Sequence, residues 1–355
     1  MRPSRSLVAL AVLLAAGLVQ AQVAVVGSVK TEIKADAKAL DGLPRVADRV
    51  RVAWPDGRYR GTFEITGPTV FSLVSIAAVT KKVEDGFNRP IDLLVVVKGR
   101  GGQEALFSIG ELEMGMQGGR VMLADRLRLL VPHHHDEIPA LAEPDGWLDV
   151  RTRAALKVPE GCAGCHTEQK VPDISVPKGV CLVAAGDAWP ARFVEDVVEV
   201  SVRQVGVKVP EQMTKGAKPG PAVLLHRLDG TSLAINTAAL GAMGRLSFTD
   251  ASFGMGRGFH GIHSWTGPSL AQVVAPHVPA GTDLDRLWVL VTAADGYRTV
   301  MTGREVFGDS ANLVLASSED DKPLGDHGPF RLVVRNDFFV DRSVHSVQEI
   351  RLGTL

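Results

Sequence analysis

The pentapeptide Ile65-Thr66-Gly67-Pro68-Thr69 returns 200 residues later as Trp265-Thr266-Gly267-Pro268-Ser269. Further blocks match in the same order along the chain. Self-similarity at a long, slowly drifting offset is the signature of an internal duplication in which each copy is one structural unit. The further blocks are 94–112 with 288–306, 121–125 with 313–317, and 182–187 with 332–337.

The offset between the copies falls from 192 to 150 between Asp125 and Gly179. Such a drop indicates an insertion in the first copy, and surface loops are where insertions are tolerated. We place this insertion at residues 126–178 of a first domain that covers 22–205. Residues 206–221, rich in Pro, Gly and Lys, are predicted to link it to a second domain at 222–355.

The insertion contains Cys162-Ala163-Gly164-Cys165-His166. Covalent haem needs this arrangement, because each thiol forms a thioether with a porphyrin vinyl group and the adjacent His166 binds the iron as its proximal ligand. Two other chemistries fit the same residues. One is a structural zinc site completed by a His of the run 133–135, and the other is a redox dithiol or disulfide. In an exported chain the spacing favours one haem c.

A sixth iron ligand is expected near the motif. His133, His134 and His135 lie in the same insertion, and adjacent side chains point in different directions, so at most one of them serves. We take His134 as the candidate distal ligand. Met213 and His327 are rivals, and an open iron position is a further alternative.

The first 21 residues have the pattern of a secretory signal peptide. Arg2 and Arg5 precede an apolar run from Leu7 to Val19, and small residues predict cleavage after Ala21. The apolar run is shorter than the roughly 20 residues that span a bilayer as a helix. We therefore expect a periplasmic protein without a transmembrane span, in the compartment where haem is attached to such motifs.

Composition limits the function classes. The 355 residues are 45% hydrophobic and 22% charged, as in a globular protein. A net charge of −1 and 5% aromatic residues argue against nucleic-acid binding. Three Cys are too few for a disulfide framework. Cys181, which lies outside the motif, is predicted to be a buried inert thiol.

Each copy is predicted to contain short strands and few helices. Apolar runs bounded by Gly, Pro or charge predict strands at 93–97, 180–184, 287–292 and 330–334, and partial alternation predicts strands at 194–202 and 344–352. Short helices are expected directly after Gly-Pro, at 71–78 and 270–274.

The second copy resembles the pterin-binding domain of the sulfite oxidase superfamily. Four ordered blocks carry the resemblance: Trp265 to Leu270, Ala294 to Tyr297, Gly328 to Val334, and Arg342 to Val344 closing on Ile350 to Leu352. It covers nearly all of the second copy and, more faintly, the first. It implies an α+β fold of two tandem pterin-binding-type domains, a molybdenum cofactor, and an oxidoreductase activity if the protein is an enzyme.

Two departures from the family concern that cofactor. Family enzymes bind molybdenum through a Cys thiolate shortly before the Trp-x-Gly block, whereas residues 244–264 contain no Cys and place the poorer ligand Met255 there. The family's closing Lys-Ser-Val-Lys-Trp reads Arg342-Ser343-Val344-His345-Ser346 here. The remaining candidates for an anion or pterin pocket, which could equally be solvated or paired side chains, are Arg257, His260, His263, Arg298, Arg335, Arg342 and His345.

Together these features predict a c-type haem protein that transfers electrons to a periplasmic redox partner protein. Two alternatives stay open. One is a molybdenum oxidoreductase in which the haem relays electrons. The other is a non-catalytic binding protein whose Cys162 to His166 motif holds zinc.

Overall fold

A computed structural model describes residues 22–53, 59–81, 87–130, 147–151, 179–187, 192–207, 217–325 and 328–355. Strands account for 48% and helices for 18% of the described residues. The strands of the first half (residues 22–207) are β1 (Val23–Gly27), β2 (Ile33–Ala35), β3 (Arg45–Ala53), β4 (Tyr59–Pro68), β5 (Leu93–Gly99), β6 (Glu104–Ser108), β7 (Val121–Ala124), β8 (Arg126–Leu129), β9 (Leu148–Asp149), β10 (Cys181–Ala184) and β11 (Val197–Gln204).

The second half (residues 217–355) contains a parallel set of elements. Its strands are β12 (Ala222–His226), β13 (Ser232–Asn236), β14 (Leu246–Gly254), β15 (Gly258–Gly267), β16 (Leu287–Ala293), β17 (Arg298–Thr302), β18 (Leu313–Ala316), β19 (Ser318–Glu319), β20 (Lys322–Pro323), β21 (Arg331–Val334) and β22 (Val347–Thr354). The helices of both halves are α1 (Ala37–Asp41), α2 (Val70–Ile76), α3 (Ile109–Met114), α4 (Thr237–Gly241), α5 (Leu270–Val274) and α6 (Gly303–Gly308).

Each half has one five-stranded sheet, and the two sheets share a strand order. The order is β2-β1-β11-β5-β6 in the first half and β13-β12-β22-β16-β17 in the second. In each sheet one pair is parallel, β1 with β11 and β12 with β22, and the others are antiparallel. The first and last strands of each half therefore pair with each other at the middle of its sheet.

The buried strands β5 and β16 are apolar on both faces, as expected for strands covered on both sides. Leu93, Val95 and Val97 face the core of the first half, whereas Leu94 and Val96 face the other way. These second residues belong to a cluster shared with Trp288, Leu290 and Val300 of the second half. The unbroken apolar runs in the sequence thus reflect a core inside each half and a third core between them.

The repeated Thr-Gly-Pro block lies where two backbones touch. A Cβ on Gly67 would lie 1.9 Å from the carbonyl oxygen of Leu123, and a Cβ on Gly267 would lie 2.2 Å from that of Leu315. Only a residue without Cβ fits at such a distance. The hydroxyls of Thr69 and Ser269 then accept hydrogen bonds at the N-termini of α2 and α5.

Gly267→Ala should lower the free energy of unfolding by about 2–4 kcal/mol, because the new methyl group forces apart two packed backbones. Urea denaturation measures the change. Gly241→Ala is the matched control, since a Cβ at this last residue of α4 meets nothing within 4 Å. It should change stability by less than about 1 kcal/mol. Equal stabilities of the two variants would contradict the close contact.

The predicted fold class is wrong. The chain does not form two tandem α+β domains of the sulfite oxidase type; it is β-rich, and four small sheets are arranged as a four-bladed β-propeller. The small sheets are β3-β4-β8-β9, β14-β15-β19-β20, β7-β10 and β18-β21. The family blocks misled because short Gly-Pro turns and apolar runs are local signals, which specify strands and turns but not the arrangement of sheets.

Residues 126–129 and 148–149, inside the range predicted as an insertion, form β8 and β9. They pair with β4 and with each other in the first small sheet. Among the described residues, no helix combines the length and the apolar character needed to cross a membrane.

Candidate functional site

A cleft of about 710 Å³ opens in the second half of the chain. Its walls come from the β14–β15 hairpin, from residues near β19 and β21, and from the 3₁₀ turn Val340–Arg342. Arg89 is contributed by the first half. The basic lining residues are Arg89, Arg257, His260, His263, Arg331 and His345, and the acidic ones are Asp295, Glu319 and Asp341.

The back of the cleft is built on β15 and β21. His263 and Trp265 lie two residues apart on β15 and therefore share one face, with ring centroids 5.8 Å apart. Arg331, at the start of β21, places its guanidinium carbon 4.5 Å from the centre of the Trp265 ring. Trp265 is 1% exposed and so gives this cation a rigid apolar floor.

Arg331 is a desolvated cation. It is 8% exposed, and its Nε has no hydrogen-bond partner among the described residues. Burial lowers the pKa of Arg331 to about 10, opposed by the charge of Glu319. A buried guanidinium whose Nε lacks a hydrogen bond favours an anionic group beside it.

One wall of the cleft joins the two halves of the chain. Arg89 Nη1 lies 2.7 Å from Asp341 Oδ1 and 3.3 Å from the hydroxyl of Tyr297. The Tyr297 hydroxyl donates a short hydrogen bond to the backbone oxygen of Asp341, and the backbone N–H of Met255 donates to Asp341 Oδ2 at 2.9 Å. Burial raises the pKa of Tyr297 above its ordinary value, so this hydroxyl stays protonated and donating.

Four of the predicted pocket residues do line this cleft: Arg257, His260, His263 and His345. Arg335 instead lies over the ring of Phe248, with its guanidinium carbon 5.4 Å from the ring centre. The other two, Arg298 and Arg342, are not among the lining residues. Arg298 is buried in an ion pair with Asp92 of the first half, and Arg342 is buried in ion pairs with Glu305 and Asp337 of its own half.

Arg298 is paired across the halves. Its Nε lies 2.8 Å from Asp92 Oδ2, and Nζ of Lys81 lies 2.7 Å from the same oxygen. All three side chains are at most 8% exposed. A single carboxylate of the first half therefore neutralises one cation from each half.

Arg342 and Arg192 occupy matching positions in the duplication and have matching partners. Arg342 binds Asp337 and Glu305, and Arg192 binds Asp187 and Glu111 at 2.7 and 2.6 Å. Ser108 Oγ lies 3.0 Å from Glu305, which links the first half to the second set. Burial raises the pKa of Glu111 to about 8, and its Oε2 has no hydrogen-bond partner among the described residues. Both Arg side chains are thus paired with two carboxylates of their own half and are not among the residues that line the cleft.

The lining residues do not match the ligands of molybdenum. No Cys is among the described lining residues of the cleft, and Met255 is half exposed. Cys181, the described Cys, is 3% exposed in β10, where its neighbours are apolar. A thioether or an imidazole is a poor replacement for an anionic thiolate on a high-valent metal.

The residues of the predicted haem site lie outside the described residues: Cys162, Cys165, His166 and the candidate distal ligand His134, with its rivals Met213 and His327. The described residues on either side of the motif belong to the folded body. Arg151 is 7% exposed and lies 2.7 Å from Asp149 and 2.8 Å from Asp41. Val180, at the other end, is fully buried.

Several residues of the cleft were not anticipated from the sequence, among them Arg331, Glu319 and Arg89. Arg331 had a readable signal, because it is a charge at the start of an apolar strand where the other copy has Cys181. Glu319 and Arg89 had no such signal in the sequence. Glu319 reaches the cleft because β19 pairs with β15, and Arg89 reaches it because the two halves are in contact.

No protein-family model matches this chain, and neither does any curated protein sequence. Among solved structures, the chain has a faint similarity to the crystal structure of the sulfane dehydrogenase SoxCD from Paracoccus pantotrophus. The two are 10% identical over 92% of this chain and 77% of that chain, with a TM-score of 0.31. A similarity at this level carries no argument about fold or function.

Proposed function

We propose that the protein is a periplasmic c-type haem protein that transfers electrons. One observation carries the proposal: the sequence Cys162-Ala163-Gly164-Cys165-His166 follows an N-terminal export pattern. Cys162 and Cys165 would hold the haem by thioethers, and His166 would bind the iron. His134 is proposed as the distal ligand.

The anchoring of the flanking residues supports this role. Before the motif, the backbone N–H of Val150 donates to the carbonyl of Asp125 at 3.0 Å, and Arg151 pairs with Asp149 and Asp41. After the motif, β10 pairs with β7 inside the core of the first half. Functional segments are commonly carried on rigid scaffolds in this way.

Haem c supplies one-electron chemistry when it is bound. We propose that Cys162, Cys165 and His166 would hold the haem for electron transfer to a redox partner protein in the periplasm, in an encounter of the small, transient kind that typically buries less than about 1,200 Å².

The test is a pyridine haemochrome spectrum together with metal analysis, on protein purified from a host that attaches haem covalently. We expect about one iron per chain, a Soret band, and haem that stays on the chain after denaturation. Zinc without a Soret band would replace the proposal with the zinc-site alternative. Iron together with molybdenum would replace it with the molybdenum oxidoreductase. Colourless, metal-free protein would refute all three.

A further inference from the structure

Three side chains of metal-ligand type converge where β15 meets β19. Nδ1 of His263 lies 3.0 Å from Oε1 of Glu319 and 3.3 Å from Oδ2 of Asp320, and the three ligand atoms all lie within 4.8 Å of one another. Ligands bound to a zinc-like ion at about 2.1 Å, at tetrahedral or octahedral angles, stand about 3.0–3.4 Å apart. From this geometry we propose that His263, Glu319 and Asp320 form a site for a divalent transition-metal ion of the Zn²⁺ type.

The backbone fixes these three residues relative to one another. Glu319 stands opposite Trp265 in the β15–β19 pair, one pleat along from His263 on the same face. The backbone N–H of Asp320 donates to the carbonyl of Ser264 at 2.8 Å, and the backbone N–H of Ser264 donates to Asp320 Oδ1 at 2.8 Å. Asp320 has a positive φ of 49°, which belongs to the tight turn between β19 and β20. The ligands are thus held by paired strands before any ion arrives, as a preorganised site requires.

The other nitrogen of His263 has the partner that a metal ligand usually has. Nε2 lies 3.4 Å from the backbone carbonyl oxygen of His260, which can only accept a hydrogen bond. Without an ion, Nδ1 carries a proton that the two carboxylates accept. An ion bound at Nδ1 would take the place of that proton, and Nε2–H would donate to the carbonyl of His260. Donation from the second ring nitrogen to a backbone carbonyl is the common support of a metal-bound imidazole.

The equivalent positions of the first half carry no such set of ligands. Ile65 pairs with Leu127 there as Trp265 pairs with Glu319, so Phe63, Leu127 and Arg128 are the counterparts of His263, Glu319 and Asp320. Phe63 and Leu127 are 1% and 4% exposed and belong to an apolar cluster. The donor set is therefore a property of the second half and not of the shared strand pattern.

The site faces the cleft on its open side. His263 and Glu319 line the cleft together with Arg331, whose Nε is buried and has no hydrogen-bond partner among the described residues. A buried cation close to a metal ion calls for an anion between the two charges. Three protein ligands leave at least one position of a four-coordinate ion free, so we expect a small anion to occupy it.

The test is isothermal titration calorimetry with Zn²⁺ on the full protein after removal of bound metals by a chelator. Glu319→Gln keeps the shape and removes a ligand, and His263→Phe inserts the residue of the first half. Loss of a supporting residue alone typically weakens metal binding 10- to 100-fold, so each variant should weaken Zn²⁺ binding at least about 100-fold. His277→Ala is the control, because it removes an imidazole that is not among the lining residues of the cleft. Its Zn²⁺ affinity should match that of the native chain.

Undiminished Zn²⁺ binding by Glu319→Gln would overturn the proposal, and this isosteric variant decides the matter if His263→Phe fails to fold. Sodium azide probes the position that faces Arg331. Azide should tighten Zn²⁺ binding by the native chain and have no effect on Arg331→Gln; an equal response of both would remove the anion from the proposal. The haem content of all four variants should equal that of the native protein. Failure of the metal-site proposal can therefore be distinguished from failure of the haem proposal.

Discussion

Cys165→Ser should remove most of the covalently attached haem while the β-rich body stays folded. In the proposed site one of the two thioether bonds could no longer form, and the single thioether of Cys162 would hold the porphyrin at one edge only. Adding Cys162→Ser should remove covalent haem completely. Haem that remains on the denatured chain measures attachment, and circular dichroism with a thermal melt measures folding.

Cys181→Ser is the control for this experiment. Cys181 lies in β10 with 3% of its surface exposed, and it has no part in the proposed attachment. This variant should keep its full haem content. Global unfolding of Cys165→Ser would show instead that the segment around the motif belongs to the core of the first half, and the division of the chain into a body and a haem-bearing segment would be wrong.

Arg342→Met should lower the free energy of unfolding by about 3–5 kcal/mol, the usual cost of removing one partner from a buried ion pair. Arg342 is 1% exposed and lies 2.6 Å from Asp337 and 2.5 Å from Glu305. Met fills similar space but leaves both carboxylates without their cation. Burial already raises the pKa of Asp337, which shows how poorly this place tolerates a lone negative charge.

The matched control for Arg342→Met is Arg100→Met. Arg100 pairs with Asp196 at 2.8 Å, but its side chain is 58% exposed, so the change should cost less than about 1 kcal/mol. Chemical denaturation measures both variants. Adding Asp337→Asn to Arg342→Met should recover part of the loss, because it removes one of the stranded charges. Equal losses from the two Arg variants would show that the Arg342 pairs are no more important than surface pairs.

Secondary structure was predictable where a short sequence signal, such as Gly-Pro before a helix or an apolar run in a strand, specifies the backbone conformation. The helices expected after Gly-Pro are confirmed as α2 and α5, and the runs at 93–97 and 287–292 are confirmed as β5 and β16. The fold class was not predictable, because Leu94 and Val96 are as apolar as Val95 and Val97 and give no sign that they pack on the other half. Sheet arrangement depends on such long-range contacts.

The candidate site was predictable only in part. His260 and His263 are close in sequence and both face the cleft, so their grouping follows from one hairpin. In the sequence, Arg298 and Arg342 could not be distinguished from the residues that line the cleft. In the structure they are buried against ion-pair partners, and Asp92, the partner of Arg298, is 206 residues away in the chain. A titratable residue that is buried with a partner cannot be told from an unpaired one until the pairing across the chain is known.

The shared carboxylate of Asp92 constrains the evolution of this sequence. Because Asp92 contacts both Lys81 and Arg298, a neutral substitution at Asp92 would remove the carboxylate that a buried cation of each half shares. Substitutions at these contacting positions of the two halves are therefore expected to occur together. In an alignment of descendants, position 92 should co-vary with 81 and 298 more tightly than with its nearest neighbours in sequence.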